Sequence, residues 1–156
     1  MERILRIVLV EPEIPPNTGN VARLSAALGA CLHLVRPLGF ELDDRHLKRA
    51  GLDYWPEVRL KIHDDFRALQ TALAGAPFYL ATTQGERRYT DVAYESGCCL
   101  LFGSETRGLG ADILAAYPKR HIRLPMRAGC RSLNLSNAVA VVAYEVMRQW
   151  GFAGLE

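Results

Sequence analysis

Short apolar runs that lead directly into loops rich in glycine, serine or asparagine are the feature that most constrains the fold of this chain. The clearest run, residues 100–102, is followed by the glycine-rich segment 103–110. Another, residues 122–126, is followed by Ser132 and Asn134 at the start of an apolar stretch. α/β proteins hold polar ligands in loops at the carboxyl ends of their strands. The second half of the chain therefore predicts a ligand site of this kind.

Strand-like and helix-like segments alternate along the whole chain. Residues 4–10 form a continuous apolar run, typical of a parallel strand that is covered on both faces. Further strands are predicted at residues 31–35, 58–62, 77–81, 98–102 and 121–124, and helices at 18–28, 43–50, 64–73, 109–116 and 134–150. This alternation predicts an α/β fold, a mostly parallel sheet with helices on both faces. Asn17 or Thr18 is the expected N-cap of the first helix, and Gly29 its end.

Length and composition indicate one domain without a membrane segment. The chain has 156 residues, enough to bury a core, and we expect a single domain over residues 1–156. Its apolar runs are too short to cross a bilayer, and its first residues lack the features of a signal peptide, which predicts a cytoplasmic protein. The four cysteines form no CxxC or Cys/His ligand set, so no metal site is expected.

A net charge of only +2 conceals clustered basic residues. The largest cluster lies between Lys119 and Arg131 and contains no acidic residue. Basic loops on a nearly neutral protein fit a phosphate-bearing partner. Smaller clusters around Arg45 and Arg87 are better explained, taken alone, as solvated surface.

The first polar loop, residues 11–20, precedes a helix and contains three prolines that stiffen it. The N-terminus of a helix presents free N–H groups and a positive dipole, which together favour an anion. Arg23 lies close to this end, where a cation is electrostatically disfavoured. The arginine therefore either meets an external anion or points to solvent.

The second loop, residues 103–110, differs from the known phosphate-binding loops. Gly103 and Gly108 have the spacing of the two P-loop glycines, but Leu109 stands where the lysine is required. A GxGxxG order is also missing, which argues against dinucleotide binding. Glu105 and Arg107 place an acid and a base close together, either for a ligand or as a local ion pair.

The third loop and the helix after it combine polar and apolar signals. Ser132 or Asn134 is expected to cap the last helix, yet four serine and asparagine residues between 132 and 137 exceed what one cap requires. The surplus favours ligand contact. The helix itself has apolar residues around most of its circumference, so it is buried in the core or faces a second subunit.

Three ordered segments resemble the motifs of the SPOUT RNA methyltransferases. They are PPNTGNVAR at 15–23, LFGSETRGL at 101–109, and IRLPM at 122–126 with SLNLSNAV at 132–139. With EPEIPP at 11–16 and RAGLDY at 49–54, the chain is most similar to the small tRNA (cytidine/uridine) 2′-O-methyltransferases that modify the wobble nucleotide. The resemblance covers essentially the whole chain.

The resemblance implies a fold, a cofactor and partners. The fold would carry a deep C-terminal trefoil knot, the cofactor would be S-adenosylmethionine, and the enzyme would act on tRNA as a homodimer. The implied cofactor contacts are Ala81, Gly103, Leu124 and Ser132, with Thr82, Met126 and Leu133 beside them.

The resemblance also implies roles at the reacting hydroxyl. Arg23 would act on the ribose 2′-hydroxyl. Because a guanidinium is not deprotonated in ordinary protein settings, we interpret it as a clamp on the adjacent phosphate and a stabiliser of negative charge on the 2′-oxygen. The residues that would orient these groups are Asn17, Glu105, Ser132 and Asn134. The candidates for RNA contact are Arg107, Arg127 and Tyr144, and Arg107 and Tyr144 are also candidates for the dimer surface.

Two alternatives stay open at this point. The chain could methylate a different tRNA or rRNA site, although such relatives often carry an added RNA-binding domain. It could also be a non-catalytic RNA-binding module that kept the fold, although such a module has no need for the complete motif set. An anticodon loop fits a small enzyme because its bases are unstacked and readable. The basic clusters around Arg45, Arg87 and Arg127 are the candidate RNA surface.

Overall fold

The structure of the chain, a computed structural model, describes residues 3–41 and 57–156. Its strands are β1 (Arg6–Val10), β2 (Cys31–Val35), β3 (Arg59–His63), β4 (Phe78–Ala81), β5 (Arg87–Arg88), β6 (Cys99–Phe102) and β7 (His121–Arg123). Its helices are α1 (Pro15–Leu28), α2 (Phe66–Ala72), α3 (Ala111–Ala116) and α4 (Leu135–Gln149). The helix predicted at 43–50 and the basic cluster around Arg45 lie outside the described residues. Strand β5 was not predicted.

The described strands form one sheet in the order β3-β2-β1-β6-β4-β7-β5. Every pairing between them is parallel. The prediction of a mostly parallel sheet is confirmed, and in this part of the chain the sheet is entirely parallel. Parallel strands need crossover connections, and described helices supply them between β1 and β2, β3 and β4, and β6 and β7.

Helices cover both faces of the sheet, as predicted. Successive residues of a strand point to opposite faces. Along β1, Ile7 and Leu9 belong to a buried cluster that includes residues of α1 and α4. Val8 and Val10 belong to a second cluster, which contains residues of α2 and α3. The continuous apolar character of β1 follows from this burial on both sides.

The start of α1 differs from the prediction. Ile14, in extended conformation, is the N-cap, and its side chain makes no capping hydrogen bond. Asn17 and Thr18 are not the N-cap; they lie within the helix and are buried. Proline has a fixed helical φ and no N–H to satisfy, so the helix begins on the prolines at 15 and 16 rather than after them. The predicted end at Gly29 is confirmed by its left-handed φ of 65°.

Helix α4 is buried on one side and exposed on the other. Val139, Val142 and Val146 are fully buried in the cluster that covers the sheet. Val141 and Tyr144 are 41% and 48% exposed. The predicted spread of apolar residues around the helix therefore includes an outer face that the described chain does not cover. None of the helices in residues 3–41 and 57–156 combines the length and the apolar character needed to cross a membrane.

Candidate functional site

The segments that follow β4, β6 and β7 enclose a cavity of about 700 Å³ together with the start of α4. This is the carboxyl-end edge of the sheet, where open parallel sheets bind ligands. The four predicted cofactor contacts and the three residues expected beside them all line it: Ala81, Gly103, Leu124 and Ser132, with Thr82, Met126 and Leu133. The structure thus brings together residues that come from three separate loops of the sequence.

The glycine-rich loop folds back on itself at the wall of this cavity. Ser104 pairs with Gly108, and the Gly108 N–H donates to the Ser104 carbonyl oxygen at 2.9 Å. Gly103 is buried beneath this turn, and a Cβ placed on it would lie 1.9 Å from the carbonyl carbon of Gly108. No side chain fits at position 103 without moving the backbone, so the glycine is what allows the tight turn.

Glu105 ties this loop to the start of α1. Its carboxylate accepts hydrogen bonds from the backbone N–H groups of Glu13 at 2.7 Å and Ile14 at 3.3 Å. The first N–H groups around a helix start have no partner within the helix, and a negative charge there is favoured by the helix dipole. Glu105, on another loop, therefore makes the capping hydrogen bonds that the side chain of Ile14 cannot make. No ion pair joins Glu105 to Arg107 in the described residues, so the local-pair interpretation is wrong.

Glu13 returns a second set of hydrogen bonds to the same loop. Its carboxylate accepts from the Thr106 hydroxyl at 2.6 Å and from the Thr106 backbone N–H at 3.2 Å. The hydroxyl bond, followed by the backbone bond, lowers the pKa of Glu13 below its ordinary value. Glu13 is thus held in its charged form, and the loops after β1 and β6 are joined in both directions.

Asn134 connects the start of α4 to α1. Its side-chain oxygen accepts from the Asn137 N–H at 3.2 Å, so Asn134 and not Ser132 caps the helix. The same oxygen accepts from the Ser136 hydroxyl at 2.7 Å, and the Asn134 amide donates to the side-chain oxygen of Asn17 at 3.1 Å. Asn17 and Ser136 are buried. Ser132 is exposed and lines the cavity, which leaves its hydroxyl available to a ligand.

The remaining predicted residues are separated in space. Arg107 lines the cavity, and Arg127 is exposed in the loop between β7 and α4. Arg23 is exposed on α1, three residues after Asn20, whose amide donates to the Ser136 hydroxyl at 3.5 Å. Residues three apart are neighbours on a helix surface, so Arg23 lies beside Asn20 on α1. Tyr144 instead lines a second cavity of about 390 Å³ with Ala27 and the C-terminal residues.

The prediction missed part of the cavity wall. Thr83 and Gln84, which follow β4, line the cavity, and so does Arg131, which the sequence placed only in the basic cluster between Lys119 and Arg131. Gly85 then brings this segment against β7, because a Cβ on it would lie 2.7 Å from the carbonyl carbon of Ile122. Polar residues after an apolar strand were the signal used for the other loops, and the same signal stands at positions 83 and 84. In residues 3–41 and 57–156, no group of three or more His, Cys, Asp or Glu side chains is arranged to hold a metal ion.

Comparison with known protein families gives a match over most of the chain. The model of the SpoU rRNA Methylase family matches residues 4–144. A tRNA (cytidine(34)-2'-O)-methyltransferase from Burkholderia ambifaria is 53% identical over 154 residues, covering 97% of this chain and 99% of that protein. The protein of the same name from Escherichia coli strain K12 is 50% identical over 152 residues, with 97% of each chain covered.

Solved structures share the fold. One from a study of the 2-OH methylation of C/U34 on tRNA superposes with a TM-score of 0.90 at 49% identity, covering 96% of this chain and 98% of the other. The SpoU methyltransferase AviRb from Streptomyces viridochromogenes, in complex with the cofactor AdoMet, superposes with a TM-score of 0.83 at 24% identity. The superposition covers 99% of this chain and 60% of AviRb. At that identity the likeness shows the fold alone.

Proposed function

The chain belongs to the SpoU rRNA methylase family, and we propose that it is an enzyme that transfers a methyl group from S-adenosylmethionine to the ribose 2′-hydroxyl of nucleotide 34 in tRNA. The observation that carries the proposal is the cavity at the strand ends, lined by the second and third motif segments and by residues 81–84, in a chain 53% identical to a tRNA (cytidine(34)-2'-O)-methyltransferase. The nucleotide would be a cytidine or a modified uridine in the anticodon loop.

The cavity fits S-adenosylmethionine in size and chemistry. Its volume of about 700 Å³ lies within the range of small-molecule sites. Leu124, Leu133 and Ala81 offer apolar surface for the faces of an adenine ring, while Thr82 and Ser132 offer hydroxyl groups for polar atoms. When bound, the cofactor supplies a methyl group on a sulfonium, a good electrophile. We propose that Gly103 and Met126 complete this wall.

The residues of the chain would act mainly by positioning the ribose. Transfer requires the 2′-oxygen in line with the methyl group, and alignment of this kind supplies much of an enzyme's rate enhancement. We assign Arg23 to the phosphate next to the reacting ribose and to the negative charge that develops on the 2′-oxygen. Asn17 and Asn134 would hold α1 against α4, and Glu105 would fix the start of α1, so that Arg23 is presented in a constant place.

An exposed anticodon loop suits the basic surface near the cavity. Bases in such loops are unstacked and accessible. Arg107 at the cavity wall and Arg127 in the following loop are proposed to contact the RNA. A tRNA substrate also places the proposed activity in the cytoplasm. No observation favours the alternative of a non-catalytic RNA-binding module, which has no use for a cofactor cavity.

We further propose a homodimer and a C-terminal trefoil knot within the single domain, residues 1–156. The knot is supported by the fold shared with the SpoU methyltransferase AviRb. The dimer is supported by the uncovered apolar surface of α4 and the chain end, where Val141, Tyr144 and Phe152 are 41%, 48% and 44% exposed. Analytical ultracentrifugation tests the dimer directly, since a stable and active monomer would contradict it.

A methyl-transfer assay tests the proposed function. Purified protein, labelled S-adenosylmethionine and bulk tRNA from a strain that lacks the activity are combined, and the product nucleosides are mapped by mass spectrometry. The expected product is a 2′-O-methylated pyrimidine at position 34. Methylation at another position would keep the chemistry and overturn the substrate, while failure to bind the cofactor would overturn the enzyme assignment.

A further inference from the structure

Two arginines lie in register at one edge of the sheet. Strand β5 is the edge strand next to β7, and Arg88 of β5 is the direct partner of Arg123 of β7. Paired residues on neighbouring parallel strands point to the same face, with the strands about 4.8 Å apart. The two side chains therefore leave the sheet side by side, on the face opposite to that of Ile122, which is buried against α1 and α4.

Two like charges in this arrangement repel each other unless an anion lies between them. In the part of the chain that the structure describes, neither Arg88 nor Arg123 forms an ion pair. The Nε atom of Arg123 is buried and has no hydrogen-bond partner there. A buried N–H without an acceptor is destabilising. The pair thus has both excess positive charge and an unused donor.

The basic residues nearby are satisfied in other ways. Arg87 donates to the carbonyl oxygen of Lys119 at 2.8 Å. Arg120 forms an ion pair with Glu95 at 3.0 Å. Among the arginines of this edge, only Arg88 and Arg123 therefore lack an acceptor for their side chains within residues 3–41 and 57–156.

The pair also lies next to the cavity. Arg88 and Arg123 are the last residues of their strands, so both stand at the carboxyl-end edge of the sheet where the cavity is located. Leu124, which directly follows Arg123, lines the cavity, as does Gln84 in the segment before β5. An anion held by the pair would be a close neighbour of a ligand in the cavity.

We propose that Arg88 and Arg123 together bind one phosphodiester group of the substrate RNA and so guide its backbone past the cavity. Guanidinium groups match phosphate oxygens with paired N–H donors, and a phosphate between two arginines removes their repulsion. The proposal rests on the proposed function, since it names the part of the tRNA that this edge contacts. A carboxylate of the cofactor is the other anion with suitable chemistry, and the experiment separates the two.

The test measures tRNA affinity by fluorescence anisotropy across a series of salt concentrations for Arg88→Gln, Arg123→Gln and the double variant. Arg59→Gln is the matched control, because Arg59 is an exposed arginine on β3, the opposite edge strand. Each single variant is expected to weaken binding about tenfold and to reduce the salt slope by about 1, as for the loss of one phosphate contact. The double variant should weaken binding by less than the product of the two single effects, because both residues hold the same phosphate.

Other measurements identify which idea fails. The unsubstituted protein is first assayed for methylation and tRNA binding; failure of both overturns the proposed function and this inference with it. If the unsubstituted protein is active but Arg88→Gln and Arg123→Gln behave like Arg59→Gln, only the inference is overturned. Calorimetry could instead show that the variants lose affinity for S-adenosylmethionine while their salt slope for tRNA is unchanged. That result would assign the arginine pair to the cofactor and also overturn the inference. Circular dichroism melting checks that the variants are folded.

Discussion

Glu105 accepts a 2.7 Å hydrogen bond from the backbone N–H of Glu13, a residue on a different loop that in turn accepts a 2.6 Å bond from the hydroxyl of Thr106. The two loops follow β1 and β6, which are neighbours in the sheet. One loop leads into α1 and the other forms the cavity wall. The exchange of hydrogen bonds therefore fixes the helix that carries Arg23 relative to the proposed cofactor site.

Replacing Glu105 with alanine should weaken this connection. The variant leaves the N–H groups of Glu13 and Ile14 without their carboxylate acceptor, so we expect a loss of about 1 to 2 kcal/mol in the free energy of unfolding. Methyl transfer should fall at least about tenfold, because α1 is no longer held in place. Urea unfolding and the methyl-transfer rate measure the two effects. Thr106→Val is the control, since it removes one hydroxyl bond to Glu13 and leaves Glu105 intact; an equal loss in both variants would contradict a special role for Glu105.

Gly103→Ala should disrupt the glycine-rich loop. The added methyl group would lie 1.9 Å from the carbonyl carbon of Gly108, so the turn has to open. We expect destabilisation of more than about 2 kcal/mol and loss of measurable cofactor binding, as for other cases of severe overpacking. Gly110→Ala is the control, because nothing lies within 4 Å of its Cβ and its φ of −65° suits alanine. Thermal melting and calorimetry with S-adenosylmethionine should separate the two variants clearly, and similar behaviour would contradict the close approach.

Local patterns were enough to predict most of the fold and two loops of the cavity wall. The continuous apolar run at β1 predicted burial on both faces, and the loops after β6 and β7 were expected at a ligand site because polar and glycine residues follow apolar strands. Ala81 and Thr82, which come at and after the end of β4, were expected there only from the resemblance. Ser132 and Leu133 line the cavity together with residues more than 40 positions earlier, since parallel strands bring their carboxyl ends to one edge.

What the sequence did not predict depends on long-range contacts or on very short elements. The cap of α1 comes from Glu105, about 90 positions away in the chain, so local capping preferences pointed wrongly to Asn17 or Thr18. Strand β5 has two residues, both arginine, and so carries no apolar pattern. Just before it, Gly85 allows the chain to approach β7 closely, and no local pattern shows which strand it would approach.

Ser132→Ala and Asn134→Ala should differ in what they impair. Ser132 lines the cavity and does not cap α4, so its alanine variant should lower cofactor affinity by about fivefold to tenfold, as for one lost hydrogen bond, with an unchanged melting temperature. Asn134 caps α4 and donates to Asn17, so its variant should lose about 1 to 2 kcal/mol of stability. Calorimetry and urea unfolding on both variants test this. Equal effects on affinity and stability in the two proteins would contradict the division of roles.

The pair formed by buried His33 and half-buried His63 should make stability depend on pH. His33 and His63 are stacked, with His33 Nδ1 and His63 Nε2 2.9 Å apart. Burial, followed by the charges of His63, Lys61 and Arg6, lowers the pKa of His33 from 6.5 to about 4, and burial also lowers the pKa of His63. The unfolded chain therefore binds protons at a pH where the folded chain does not. Stability should change little between about pH 7.5 and 6.5 and fall as the pH decreases from there toward 4.

Unfolding by urea at pH values between 7.5 and 5 measures this slope. Glu13, Glu95 and Glu145 have pKa values lowered from 4.5, so their own loss of stability on protonation lies below this window. His33→Leu should reduce the slope, with only the contribution of His63 remaining. An unchanged slope in that variant would show that His33 does not remain neutral in the folded protein.

Arg23→Ala should remove activity without removing the cofactor. In the proposed mechanism the guanidinium stabilises charge on the 2′-oxygen, and loss of one such donor costs about 100-fold or more in kcat. Arg23 is not among the residues that line the cavity, so S-adenosylmethionine affinity should be nearly unchanged. Arg23→Lys should retain partial activity, because lysine keeps the charge but lacks the paired donors.

Arg67→Ala is the control, because Arg67 is an exposed arginine on α2 at the other face of the sheet. Single-turnover methylation of tRNA and calorimetry with the cofactor provide the two readouts, and near-normal turnover in Arg23→Ala would remove this residue from the mechanism.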